Sequence, residues 1–310
     1  MIYLAPIQGF TDFVYRKAYS KLFTDIDKYF IPYISVKNSQ ILKKYEKEIL
    51  LQNNLQKSVV PQVLAKDETE LLFLSALLKE VGYNEINLNL GCPYPMVTNR
   101  EKGAGILPYP EKLKKMLAVF FEKSDLKLSI KLRAGLISPN DIENIISVLN
   151  DFSLTEIIFH PRIAKQLYKG EIYDSAFQFA TKNLKHKLVY NGDIFSLHDY
   201  NIRNQQFPEI DTWMLGRGIL MNPFLPAEIS NNSISADEKI KKLKEFHQLI
   251  FDGYSETMDN WGNVLNKMKQ FWSYFSFSFP NQKKVFKAVK KSKKLADYVA
   301  AVQKAFFSLY

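Results

Sequence analysis

The chain has 310 residues, 46% of them hydrophobic and 24% charged, an ordinary globular composition with room for one large domain and an extension. Its single cysteine excludes an intrachain disulfide and a zinc cluster built on cysteines, and it fits a cytoplasmic setting. The N-terminus lacks the regions of a signal peptide and no apolar run reaches the roughly 18 residues of a membrane span, while a formal charge of +10 favours a polyanionic partner such as nucleic acid.

Short β-rich runs alternate with longer amphipathic stretches through the first 229 residues. The predicted strands are 2–5, 29–34, 58–64, 85–90, 126–132, 156–160, 187–190 and 212–215, and helical periodicity falls at 13–22, 68–81, 110–123 and 141–152. Thr11 and Asp12 offer capping oxygens before the first of these helices, Asp67 before the second, and Gly82 stands at a C-cap position. Strands separated by helical segments imply parallel pairing through crossovers, and eight such units fit a (β/α)8 TIM barrel. A doubly wound open sheet matches less well, because no Gly-x-Gly-x-x-Gly turn follows the first strand.

The texture changes at the polar stretch 230–235, which reads as a linker between a barrel domain, 1–229, and a small all-helical C-terminal domain, 230–310. From Asn231 onward there are 14 Lys, no Arg and 7 acidic residues, a net +7. Helical patterns cover 237–254, 261–275 and 283–307, and Lys287, Lys290 and Lys294 belong to a lysine stripe expected to face RNA phosphates. The aromatics Trp261, Phe271, Trp272, Tyr274 and Phe275 read as the core of a helical bundle rather than as a base-stacking surface.

Active sites of such barrels lie at the C-terminal strand ends. Here those ends carry Pro6-Ile7-Gln8-Gly9, Gln62, Asn87 and Asn89 with Gly91-Cys92, Lys131 with Arg133, His160 with Arg162, Asn191-Gly192-Asp193, and Gly216-Arg217-Gly218. Each has a structural explanation alone. Together they place polar groups at seven of eight strand ends, and every buried one costs free energy unless a partner is supplied. The two glycine turns suit a phosphate held by backbone N–H groups with a bidentate contact from Arg217, and Lys131 could hold an anionic ring. No carboxylate cluster suits Mg²⁺, so a phosphorylated cofactor is expected and no metal.

The ordered pieces Ala-Pro-Ile-Gln-Gly-Phe-Thr-Asp (5–12), Pro-Gln-Val (61–63), Ile-Asn-Leu-Asn-Leu-Gly-Cys-Pro (86–93), Lys-Gly-Ala-Gly (102–105), Lys-Leu-Arg (131–133), His-Pro-Arg (160–162), Tyr-Lys-Gly (168–170), Asn-Gly-Asp (191–193) and Leu-Gly-Arg-Gly (215–218) resemble the tRNA-dihydrouridine synthases. The resemblance implies a TIM barrel that binds FMN, takes NADPH or NADH as reductant, and reduces the C5–C6 bond of a tRNA uridine. It implies FMN contacts at Pro6, Ile7, Gln8, Gln62, Lys131, His160, Asn191, Gly192, Asp193, Gly216 and Arg217, and Cys92 as proton donor. Asn89 and Tyr168 are expected near the target uridine, Lys102 in a closing loop, and Arg133 and Arg162 as further cations for tRNA. A thiol of ordinary pKa near 8.5 stays protonated at neutral pH and so suits the general acid. The enzyme is taken as a monomer.

Two stretches depart from the family's habit. An acidic residue often ends strand two, where this chain has Pro32 and Tyr33, and the loop 94–102 after the cysteine is less basic than in many members. Rival readings are an FMN barrel acting on a free pyrimidine, such as a dihydroorotate dehydrogenase, and a non-catalytic RNA-binding protein on the same barrel. The first leaves the lysine-rich tail and Tyr168-Lys169-Gly170 without a use, and the second leaves Cys92, Lys131 and His160 without one.

Overall fold

The computed structural model describes residues 1–37 and 40–309. Eight parallel strands form a closed barrel: β1 (Ile2–Leu4), β2 (Lys28–Ile34), β3 (Val59–Val63), β4 (Glu85–Leu90), β5 (Lys127–Gly135), β6 (Ile157–Ile163), β7 (Leu188–Tyr190) and β8 (Trp213–Leu215). Each strand pairs with its sequence neighbours and β8 closes on β1. The (β/α)8 barrel expected from the alternation is therefore the architecture found. Residues 1–8, 27–192 and 207–214 form one compact unit, and residues 9–26, 193–206 and 215–310 form a second.

Within the first unit, Tyr3, Ala5, Phe30, Val60, Ile158, Val189 and Met214 cluster from six strands, with Ile7 packed on them. At the N-terminal end of the barrel, Lys28 at the start of β2 reaches Glu156 at 3.0 Å and Glu85 at 3.3 Å, while the Tyr3 hydroxyl donates to Glu156 at 2.9 Å. These charges lie away from the strand ends that carry the motifs, and their place at the opposite end suits them to holding the barrel together. The register sets Gln62 beside Asn87, Asn89 beside Lys131 and Arg133 beside His160. Strands β5 and β6 run further than the sequence suggests, to Gly135 and Ile163, so Arg133 and Arg162 stand on strands and not in loops.

The helices Phe13–Leu22, Glu68–Val81, Pro110–Lys123 and Trp261–Phe275 have the expected bounds. Asp67 caps its helix by accepting from the Glu70 N–H, and Gly82 ends it at φ +112°. The helix Asp141–Leu149 stops short of 152, with Asn150 as its C-cap donating from its side chain to the Asn183 carbonyl. The helix Lys43–Ile49 between β2 and β3 had no sequence signal strong enough to read.

In the second unit, Asp12 caps the helix Phe13–Leu22 through the Tyr15 N–H and also receives the Tyr254 hydroxyl at 2.9 Å and Lys267 at 2.8 Å. Lys267 donates as well to the Gly9 carbonyl at 2.6 Å, so the turn after β1 is held from the helices Ala236–Thr257 and Trp261–Phe275. Phe271, Trp272 and Phe275 are buried core residues, as read, whereas Trp261 is 52% exposed. The stretch 283–307 is helical as expected, but in two parts. It divides into Gln282–Lys291 and Leu295–Phe307, because the Asp297 carboxylate accepts from the backbone N–H groups of Lys293 and Lys294 and starts a new helix there. Lys287 and Lys290 thus share a helix that Lys294 does not.

The buried Trp272 Nε1–H donates to the Tyr298 hydroxyl at 3.0 Å, which donates in turn to His247 Nε2 at 2.7 Å. Burial pushes His247 down to about 3. Its unfolded counterpart titrates near 6.5, so its stabilising contribution is complete above that pH and is lost as pH falls toward 3. His247→Gln, which keeps an acceptor for Tyr298, should remove about 1.4 kcal/mol per pH unit from the pH slope of unfolding free energy between about pH 6 and 4, read by denaturant titration.

Candidate active site

The C-terminal mouth of the barrel is organised by an amide ladder across β3, β4 and β5. Gln62 Nε2 donates to Asn87 Oδ1 at 2.8 Å, Asn89 Nδ2 donates to Gln62 Oε1 at 2.7 Å, and Asn87 Nδ2 donates to the Ser129 hydroxyl at 2.9 Å. Alternate residues of a strand share a face, which aligns Asn87 with Asn89. Asn89 Oδ1 then accepts from the N–H groups of Gly91 and Cys92, at 3.0 and 2.8 Å. The side chain thus bends the chain after β4 and fixes the cysteine, leaving one Nδ2 hydrogen for a ligand.

Cys92 is 7% exposed and packs with Leu64, Val97 and Tyr33. Burial raises its thiol pKa, against hydrogen bonds from the Tyr94 N–H and the Tyr33 hydroxyl and the positive charge of Arg133. The thiol is therefore protonated at neutral pH. Gly103, at φ +57°, lies so close that a Cβ there would stand 2.8 Å from Cys92 Cβ, and the Ala104 N–H donates to the Cys92 carbonyl at 3.1 Å. Only glycine permits both this backbone conformation and this approach.

The cations at the mouth have different surroundings. Arg133 is 2% exposed, donating to the Gly91 carbonyl at 3.0 Å and the Ile163 carbonyl at 3.1 Å, with its guanidinium 5.3 Å from the Tyr168 ring. Arg162 is buried and donates twice to the Gly170 carbonyl. Lys102 is buried in an ion pair with Glu70 at 2.6 Å. These three, expected as contacts for tRNA, tie the loops around the mouth together through these acceptors. Tyr168, by contrast, is 43% exposed above Arg133.

Lys131 and His160 remain available. Lys131 has no hydrogen bond or ion pair among the described residues, and burial followed by the charge of Arg133 pushes it down to about 7. His160 Nδ1 lies 2.6 Å from the Asn191 carbonyl and must donate to it. Nε2 is then an acceptor, and it is buried without a partner among the described residues. Burial, with Arg133 and Lys131 next, holds the ring well below the usual histidine range and so neutral. A cation lacking an acceptor beside an imidazole lacking a donor calls for a ligand that supplies both.

Of the other expected contacts, Pro6 is half-buried, Ile7 packs on the barrel interior and Gln8 is exposed. Asn191 spends its side-chain N–H on the Met214 carbonyl at 2.8 Å, and Gly192 is buried, a Cβ there falling 3.3 Å from Ile172 and 3.5 Å from His160 Nδ1. In the second unit, Arg217 pairs with Asp193 at 2.7 Å and lies over the Phe195 ring, and Gly216 precedes the short helix Arg217–Met221. Lys287, Lys290 and Lys294 are exposed. Tyr33 was not singled out as a site residue, because nothing local to β2 reveals that it meets Cys92, 59 positions away.

Fold and mouth together define a TIM-barrel protein with a candidate site at the C-terminal strand ends. The sequence pattern of the dihydrouridine synthase (Dus) family matches residues 3–309, and the chain belongs to that family. It is 27% identical over 276 residues to a probable tRNA-dihydrouridine synthase of Helicobacter pylori, covering 85% of this chain and 78% of that protein. It is 23% identical to the tRNA-dihydrouridine(16) synthase of Vibrio parahaemolyticus, covering 98% and 95%. A tRNA-dihydrouridine(47) synthase-like protein of Arabidopsis thaliana is 29% identical over 176 residues, but these span only a quarter of its length. Among solved structures, an old yellow enzyme homologue from Zymomonas mobilis (TM-score 0.54, 8% identity, 76% of this chain and 89% of that one) and a morphinone reductase (0.53, 9%, 75% and 86%) share the barrel fold.

Gly103→Ala should lower the unfolding free energy by about 1–3 kcal/mol and displace the loop from the thiol. A lower denaturant midpoint together with faster iodoacetamide alkylation of Cys92 is the expected result.

Proposed function

We propose that this chain is an FMN-dependent tRNA-dihydrouridine synthase that takes its electrons from NADPH or NADH. Family membership supports the reaction type, and the observation that carries the cofactor is the pair Lys131 and His160, whose open donor and open acceptor fit a flavin. Lys131 would meet the electron-rich edge of the ring and regain its full charge there. His160 Nε2 would accept from a ring N–H or a ribityl hydroxyl. Gln62 keeps one amide hydrogen for the same ligand. On the resemblance, Gly216 and Arg217 are assigned to the phosphate, with Pro6, Ile7, Gln8, Asn191, Gly192 and Asp193 completing the contacts.

FMN, when bound and reduced, supplies hydride to C6 of the uracil ring. Cys92 then gives its S–H proton to C5, so that an S–H bond breaks, a C–H bond forms and a thiolate remains until solvent restores it. The remaining Nδ2 hydrogen of Asn89 is directed to a uracil carbonyl, and Tyr168, exposed at the mouth, offers its ring to the extruded base. We assign residues 1–229 to catalysis and 230–310 to holding tRNA, with Lys287, Lys290 and Lys294 as phosphate contacts.

The purified or FMN-reconstituted protein should be yellow and bleach with NADPH. Cys92→Ala should still bleach, yet lose dihydrouridine formation in tRNA by at least about a hundredfold; a protein that takes up no flavin, or a variant that modifies tRNA normally, refutes the respective assignment. Charge reversal at Lys287, Lys290 and Lys294 should weaken tRNA binding and reduce the slope of log K against log salt by about two to three. Unchanged affinity in filter binding would make those lysines a solvated face.

A further inference from the structure

Cys92 has a neighbour to which neither the fold nor the family resemblance gives a task. Tyr33, next to last in β2, packs on the cluster of Leu64, Cys92 and Val97, and its hydroxyl bears on the ionisation of the thiol. A carboxylate would repel a thiolate, whereas an O–H can donate to it. We infer that Tyr33 is the positioning residue of the acid step, its hydroxyl aiming the Cys92 S–H and donating to the thiolate that is left when the proton has gone to carbon.

The surroundings of both groups agree with this. Burial, then Cys92 and Tyr45, raise the Tyr33 phenol above its ordinary range. It keeps its proton at any working pH, so the proton transferred is that of the thiol. The groups facing Cys92 are few. The Tyr94 N–H donates from its own loop, Tyr33 from β2, and Arg133 adds positive charge from β5, with Tyr168 beyond it. Leu64 and Val97 are apolar, and Lys102, beside the Gly103 that covers the cysteine, is committed to Glu70. The thiol is thus protonated at rest by burial, yet three donors or charges wait for its anion. An acid needs both properties, since it must hold its proton until the carbanion forms and then release it without a large penalty.

This inference rests on the proposed reaction, and the test separates the two. Cys92 is the only cysteine in the chain, so the pH profile of iodoacetamide alkylation reports this thiol alone. In Tyr33→Phe, which keeps the ring, the alkylation midpoint should rise by about one pH unit, as for loss of one hydrogen bond to a charged group. Placing 3-fluorotyrosine at 33, a stronger donor of nearly the same size, should lower it. With FMN and tRNA bound, single-turnover dihydrouridine formation by Tyr33→Phe should slow about tenfold while reduction by NADPH is unchanged. An alkylation midpoint that neither variant moves overturns the inference, as does a shifted midpoint with dihydrouridine formation at the wild-type rate. Wild-type protein that makes no dihydrouridine refutes the proposed reaction, and the alkylation shift still decides the contact.

Discussion

Positive charge crowded into one end of the barrel is the constraint on which the candidate site depends. Lys131 and Arg133 lie two residues apart on β5, with His160 and Arg162 on the adjacent β6. Burial and mutual repulsion push Lys131 down to about 7 and Arg133 to about 10. Such an arrangement persists only if the surroundings answer it. Backbone carbonyls of Gly91, Ile163 and Gly170 answer the two arginines. The backbone thereby becomes fixed around the mouth, since Gly91 follows β4, Ile163 ends β6 and Gly170 lies in the loop beyond it. Lys131 is left over, and with it the demand for an electron-rich ligand.

The amide ladder is the neutral counterpart of that arrangement. It runs from Ser129 through Asn87 and Gln62 to Asn89 and ends on the N–H groups of Gly91 and Cys92. The thiol is therefore held by the same side chains that line the barrel mouth. Covered by Gly103 and packed against Tyr33, it is buried enough to stay protonated, and Arg133 acts on it from the side it shares with Gly91. Holding the cysteine engages most of the amide ladder, which leaves Lys131 and the Nε2 of His160 as open groups at the mouth.

The second unit has its own logic. Lys267 and Tyr254 grip Asp12 and the Gly9 carbonyl, so the turn after β1 depends on helices some 240 residues later. Its interior is aromatic, with Trp272 donating through Tyr298 to a neutral His247. The lysines of Gln282–Lys291 lie on the outside of this core, where the break at Ser292 divides the stripe that helical spacing alone makes continuous.

The sequence by itself determined the alternation of strands and helices, the bounds of four helices and the caps at Asp12, Asp67 and Gly82. All of these rest on periodicity and on hydrogen bonds a few residues long, which a linear reading can see. It also determined that polar groups gather at the strand ends, because parallel strands joined by crossovers leave those ends on one face. Only the tertiary structure decided which of them are open. Arg133, Arg162, Lys102, Lys131 and His160 look alike in the sequence, all polar and all at a strand end or in a loop beside one. The first three are spent on partners brought near by folding, such as Glu70 for Lys102, and the last two are not. Tyr33 was invisible for the same reason: its role exists only where β2 and the loop after β4 come together around one sulfur atom.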